Sequence, residues 1–239
     1  MSKIKTLLII VLITLSSCNK SDKMPCDDHF IKGNNYVLSF EMEEGQKEFD
    51  EAIKENPKNA FAYYGKGVVA ELNGENETAI KEFSNAINTN PQFALAYFQR
   101  ASIYGLIGNH QKGIEDLSKV IELKSDFYYG YFLRGEFLFI TGKLELAIQD
   151  FSKAIELKPK SGNAYFYRSY SYGKLNKNEL ALSDVQKAIE LKTDNVSRYT
   201  MKGLYEYKLG KKVEACSDFN KAKAMGDRSA EQYIKLNCK

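Results

Sequence analysis

The chain has 239 residues, 27% charged and 44% hydrophobic, a composition of folded domains that is neither disordered nor collagen-like. Thirty-four Lys and Arg against 31 Asp and Glu leave +3, too small a surplus to suit a nucleic-acid binder. Two His and four Cys leave little material for a metal centre, while 16 Tyr and 14 Phe beside four Pro promise aromatic packing with few helix breakers.

Residues 1–17 form a class of their own. Lys3 and Lys5 make a positive head, and residues 7–15 (LLIIVLITL) are an uncharged apolar run. The run is about half of the ~20 residues a spanning helix needs, so it reads as a signal-peptide core. It ends in Leu15-Ser16-Ser17-Cys18, which resembles a bacterial lipoprotein signal. That resemblance implies cleavage after residue 17 and acylation of Cys18, the only membrane attachment expected. Asn19 after the cysteine implies, by the sorting rules of such lipoproteins, the outer membrane facing the periplasm; the Lys and Asp beyond it leave surface export open. Residues 18–25 are polar and short, a tether.

Beyond the tether the chain repeats with a period of 34. Tyr63, Tyr97, Tyr131, Tyr165, Tyr199 and Tyr233 mark it, and six windows follow: 26–59, 60–93, 94–127, 128–161, 162–195 and 196–229. Slot eight of each window is small (Gly33, Gly67, Ala101, Gly135, Ser169, Gly203), and so is slot twenty. Slot twenty-four is large and apolar: Phe49, Phe83, Leu117, Phe151, Val185 and Phe219. Pro57, Pro91 and Pro159 sit at slot thirty-two, where a proline stops one helix before the next. Each window holds two amphipathic stretches, such as 94–106 and 110–123, divided by a Gly108-Asn109 break.

This pattern is similar to the tetratricopeptide repeat, whose aromatic, small, Ala, Phe and Pro positions recur at this period. The resemblance implies an all-α fold: a right-handed superhelical solenoid of about six helix hairpins, because one hairpin cannot bury its apolar face alone. The aromatics of slots four and twenty-four should fill the space between the two helices of a hairpin. His29 stands where repeat one should carry tyrosine, as suits a divergent terminal repeat. After Gly226 and Asp227, residues 230–239 read as a capping helix over the last hairpin.

The search for chemistry finds no catalytic set. His29 and His110 are far apart, no Gly-x-Ser-x-Gly turn is present, and no strand precedes a phosphate loop. Neither a metal nor a cofactor is expected, and the chain is not read as an enzyme. Slot seven is basic throughout (Lys32, Lys66, Arg100, Arg134, Arg168, Lys202), and slot twenty-three acidic throughout (Glu48, Glu82, Asp116, Asp150, Asp184, Asp218). One base and one acid on the two helices of a hairpin predict an ion pair within each repeat rather than a track for an anion.

The closing segment, Ala215-Cys216-Ser217-Asp218-Phe219 through Gly226 to Cys238, looks like that of many bacterial tetratricopeptide lipoproteins, and this resemblance implies a Cys216–Cys238 disulfide. Cys26 is left over. In the family the first helices line the concave face, at slots two, five, nine and twelve. There the chain carries Phe61 and Tyr129, then Tyr64, Phe98, Phe132 and Phe166, with Glu71 and Glu136, and Lys174 one place beyond slot twelve, for polarity. The Lys and Asn clamp of chaperone-binding members is missing. Two readings of the rings stay open: a groove for an apolar partner segment, or core packed between first helices. The expected function is an interaction scaffold for a protein or peptide in the cell envelope, with no nucleic acid. The alternative is a non-catalytic carbohydrate- or small-ligand-binding lipoprotein using the same aromatic groove.

Overall fold

The computed structural model describes residues 28–191 and 196–238; the signal segment, Cys18, the tether and Cys26 lie outside them. Every regular element among the described residues is an α-helix. The chain divides into two compact units, the first ending at Leu123 and the second starting at Lys124. The first holds α1 (Asp28–Leu38), α2 (Met42–Glu55), α3 (Ala60–Asn73), α4 (Asn76–Thr89), α5 (Ala94–Leu106) and α6 (His110–Leu123). The second holds α7 (Tyr128–Ile140), α8 (Leu144–Leu157), α9 (Gly162–Lys174), α10 (Asn178–Glu190), α11 (Ser197–Lys208), α12 (Lys212–Ala224) and α13 (Ala230–Asn237). In both units each helix packs on the next, so successive hairpins share a core.

The turns follow from backbone chemistry. Slot fifteen joins the two helices of a hairpin and is left-handed each time: Gly74, Gly108, Gly142 and Gly210 at φ 78–81°, Asn176 at 57° and Phe40 at 63°. Glycine and asparagine tolerate that region; Phe40 occupies it at a steric cost. Between hairpins, Asn56 and Asn90 end their helices in extended conformations and Lys158 at φ −139°, ψ 80°, and each precedes a proline, whose ring disfavours the helical region for its predecessor. Asn59 then caps α3 by accepting from the backbone N–H of Phe61 and Ala62, and Ser161 caps α9 by accepting from that of Ala164.

The core sits between the helices of each hairpin. Phe49, Phe83, Leu117, Phe151, Val185 and Phe219 of slot twenty-four are all fully buried, as are Ala79, Ala147, Ala181 and Ala215 of slot twenty. Four of these slot-twenty-four residues are phenylalanines, and each lies over a slot-eight glycine; where slot eight is Ala101 or Ser169, the facing residue shrinks to Leu117 or Val185. The slot-four tyrosines depart from expectation. They are half-buried rather than enclosed, and Tyr97 and Tyr165 lie against arginine, with guanidinium carbons 5.7 and 5.5 Å from the ring centres. An arginine three residues on in the same helix competes with the apolar interior for the ring face.

At the C-terminal end, Tyr233 of α13 stacks on Phe219 with centroids 5.2 Å apart and planes at 14°. Cys216 and Cys238 are joined by a disulfide, with Cα atoms 5.6 Å apart. Asp227 does not cap α13 directly. It accepts hydrogen bonds from Ser229 and from the Thr200 hydroxyl, tying the turn back to α11.

Candidate partner-binding face

The basic and acidic ladder forms ion pairs inside the repeats. Arg100 grips Asp116 in two parallel bonds of 2.8 and 2.7 Å, and Arg134 with Asp150 and Arg168 with Asp184 repeat that geometry. Burial works against the Arg100 charge, but the hydrogen bond to Asp116 and the charge of that carboxylate, with Tyr104 and Tyr97, together outweigh it and raise its pKa above the ordinary value. Lys202 pairs with Asp218. Lys66 divides itself between Asp50 at 2.7 Å and Glu82 at 3.9 Å. Repeat one breaks the pattern: Glu48 is taken by His29 at 2.5 Å, and Lys32 turns to Asp28 one helical turn away. A histidine in the aromatic slot reaches the acid first and displaces the lysine.

A second connection was not foreseen. Arg100 also donates to the Ser84 hydroxyl at 2.8 Å, and Arg168 to that of Ser152 at 3.0 Å, each on the second helix of the preceding hairpin. Both serine hydroxyls in turn donate a hydrogen bond to the carbonyl four residues back. The sequence signal is a serine column at slot twenty-five, Ser84, Ser118 and Ser152. Thus the arginines fasten neighbouring hairpins within a unit as well as their own.

The ladder being internal, the candidate residues that remain are those of the first helices. In the first unit Phe61 is half-buried against Phe30 and Phe93, with centroids 5.8 and 4.8 Å away. Tyr64 is core. It is 4% exposed, with Phe83 and Phe93 rings 5.5 and 5.1 Å from its own, and this removes it as a surface anchor. Phe98 is half-buried on α5. Glu71 is half-buried toward the end of α3, where Gln99 of α5 donates to it at 3.1 Å.

In the second unit Phe132 is half-buried among Tyr128, Phe151 and Tyr167, all within 6.0 Å by centroid. Phe166 is half-buried, with the Arg198 guanidinium 5.3 Å above its ring. Arg198 itself is buried and donates to the Ala188 carbonyl and to Asn163. Tyr129 is the open ring, 45% exposed, with Lys158 5.9 Å from its centre. Glu136 is half-buried; burial raises its pKa, and a hydrogen bond with Tyr167 offsets part of that. Lys174 is exposed beside Tyr170. A surface depression lined by residues 75–78 and Ile107 lies at the hairpin turns rather than on the first-helix face. No group of three His, Cys, Asp or Glu among the described residues could hold a metal ion, and none of the described helices is long and apolar enough to cross a membrane.

Paired helices, small residues under aromatic rings and a 34-residue register define a helix-hairpin repeat protein. Tetratricopeptide-repeat family models match residues 48–81, 94–127, 128–161 and 162–195, and the chain belongs to that family. Among curated proteins none matches the sequence. Solved structures resemble it in fold: MamA at 23% identity over 72% of this chain and 94% of that one (TM-score 0.67), and YrrB at 18% over 79% and 97% (TM-score 0.72). PilF of Pseudomonas aeruginosa matches at 14% identity over 88% of this chain and 96% of that one, with a TM-score of 0.71. YrrB is described as a tetratricopeptide protein with an unusual peptide-binding site.

Proposed function

We propose that this chain is a non-catalytic interaction scaffold of the bacterial cell envelope, held at the outer membrane through acylated Cys18 and facing the periplasm. Its first-helix faces receive a segment of a partner protein. The observation that carries the binding part is the set of rings left half-open on those helices, Phe98 in the first unit and Phe132, Phe166 and Tyr129 in the second. Large aromatics kept partly in contact with water are the residues that anchor partners when they become fully desolvated. YrrB, alike in fold, supports a peptide as the kind of partner. The anchoring part rests on the positive head, apolar run and Ser-Ser-Cys order of residues 3–18.

Both parts are tested in cells. Cys18→Ser should release the protein from the membrane fraction or stall its processing, since stable anchoring takes more than one acyl chain. A photo-crosslinking side chain at Tyr129 or Phe98 should trap one partner in the envelope, and Tyr129→Ser with Phe98→Ser should lose it while the helical circular-dichroism signal stays. An unchanged membrane fraction, or undiminished capture by the double variant, would sink the respective part.

A further inference from the structure

The buried carboxylates of the ladder each face a base, and Asp227 is satisfied by Thr200 and Ser229, which hold its pKa down despite partial burial. Glu71 is different. It lies on the α3 stripe of Phe61, Tyr64 and Val68, spaced so that all four share one face of the helix. Its Oε2 accepts from Gln99, and no basic side chain among the described residues comes within ion-pair distance. Burial pushes its pKa up to about 7. The polar groups set against it are the Tyr64 phenol on its own helix and the neutral Gln99 amide from α5. On α5, Leu95 lies one helical turn before Gln99 and Phe98 directly precedes it, and both are half-buried. A carboxyl in this setting is desolvated by its surroundings, and one neutral hydrogen bond from Gln99 takes the place of an opposite charge.

We propose that the first-helix face of the first unit receives a partner segment carrying an arginine or lysine among apolar side chains, with Glu71 as the counter-charge and Leu95 and Phe98 as the apolar floor. The proposal rests on the scaffold reading above and specifies its partner. A neutral apolar segment would desolvate Glu71 further without compensation, and an acidic one would add like charge in a low-dielectric contact. A cation flanked by apolar groups satisfies both the carboxylate and the rings. Glu136 repeats the arrangement in the second unit: half-buried on a first helix, raised in pKa, bonded to Tyr167 and without a base within ion-pair distance among the described residues.

The test uses the full chain and two labelled probes, a short leucine–alanine amphipathic helix with one central arginine and its twin with citrulline, which keeps the shape and loses the charge. Fluorescence anisotropy should show the arginine probe bound about tenfold tighter at about pH 8, the margin shrinking toward about pH 6 as Glu71 takes a proton. On a Glu136→Gln background, which leaves Glu71 as the one such carboxylate, Glu71→Gln should erase the difference between the twins, and Phe98→Ser should weaken both alike. The comparison of twins on the unaltered chain needs no variant to fold. Equal affinity of the twins, with Phe98→Ser still weakening both, overturns the counter-charge and leaves the binding face standing. Failure of both twins to bind overturns the proposal together with the face.

Discussion

A methyl group added to Gly67 would stand 2.6 Å from Cε1 of Phe83, so glycine and ring share a space that admits only one of them in full. The same relation holds for Gly33 with Phe49, Gly135 with Phe151 and Gly203 with Phe219. Ala101 over Leu117 and Ser169 over Val185 show the other solution: a carbon on the first helix, a smaller side chain on the second. Gly67→Ala should therefore destabilise by ~1–3 kcal/mol through overpacking, despite alanine's better helix propensity. Phe83→Leu alone should also destabilise, by opening a void. Together they should cost less than the sum of the two, with a coupling of ~1 kcal/mol or more in urea unfolding. Strict additivity would mean that the two positions do not share the space.

Phe40 carries a bulky side chain at φ 63° where four other hairpins use glycine, and its ring is 64% exposed. The left-handed region costs an L-residue ~1–2 kcal/mol, and little packing is lost with an exposed ring. Phe40→Gly should raise stability by about 0.5–1 kcal/mol after the entropy of glycine is counted. A fall in midpoint would show that the ring is held by contacts worth more than the strain.

Glu71 makes stability depend on pH in a definite direction. Its pKa is raised from 4.5 to about 7 in the folded chain, so across that interval the fold keeps a proton that the unfolded chain has given up. The contribution is complete below about pH 4.5, declines as pH rises, and is gone above about pH 7. Glu71→Gln stays neutral throughout. Relative to the parent chain it should gain about 3 kcal/mol at pH 8 and less than about 0.5 kcal/mol at pH 4.5, read as the difference between melting curves at the two values. A variant that tracks the parent at both would place Glu71 in water.

The repeat was legible because burial recurs at fixed slots, and every slot-twenty-four residue is enclosed as the period demanded. The surface was less legible, since slot five behaves differently from one window to the next. Tyr64 is covered by Phe93, the residue at slot thirty-four of its own window, whereas Phe132 has Ser161 there and stays half-open. The residue at slot thirty-four does not decide this alone, since Phe98 has Phe127 at that slot and is half-buried as well, and the helix pattern does not carry the difference. The ladder was legible as charge pairs in the arginine repeats but not in repeat one, where His29 reaches Glu48 ahead of Lys32, nor fully in repeat two, where Lys66 sits closer to Asp50 of the preceding repeat than to Glu82. Nor could spacing reveal that Glu71 would be half-buried beside Gln99, because that depends on how closely α3 and α5 approach.

The terminal helix depends on its covalent tie. α13 has eight residues, and isolated helices shorter than ~12–15 residues are marginal in water. Its non-covalent hold comes from Ala230, fully buried, and from the Tyr233 ring stacked on Phe219. The Cys216–Cys238 bond closes a loop with a sequence separation of 22, for which the chain-entropy model gives ~3 kcal/mol. Cys216→Ser with Cys238→Ser should lower the melting temperature and expose the C-terminal segment, including Lys235, to trypsin well before the hairpins of the first unit are cut. Reductant should do the same to the parent chain and nothing further to the double variant. Equal melting temperatures for the oxidised parent and the double variant would mean that stacking alone keeps α13 in place.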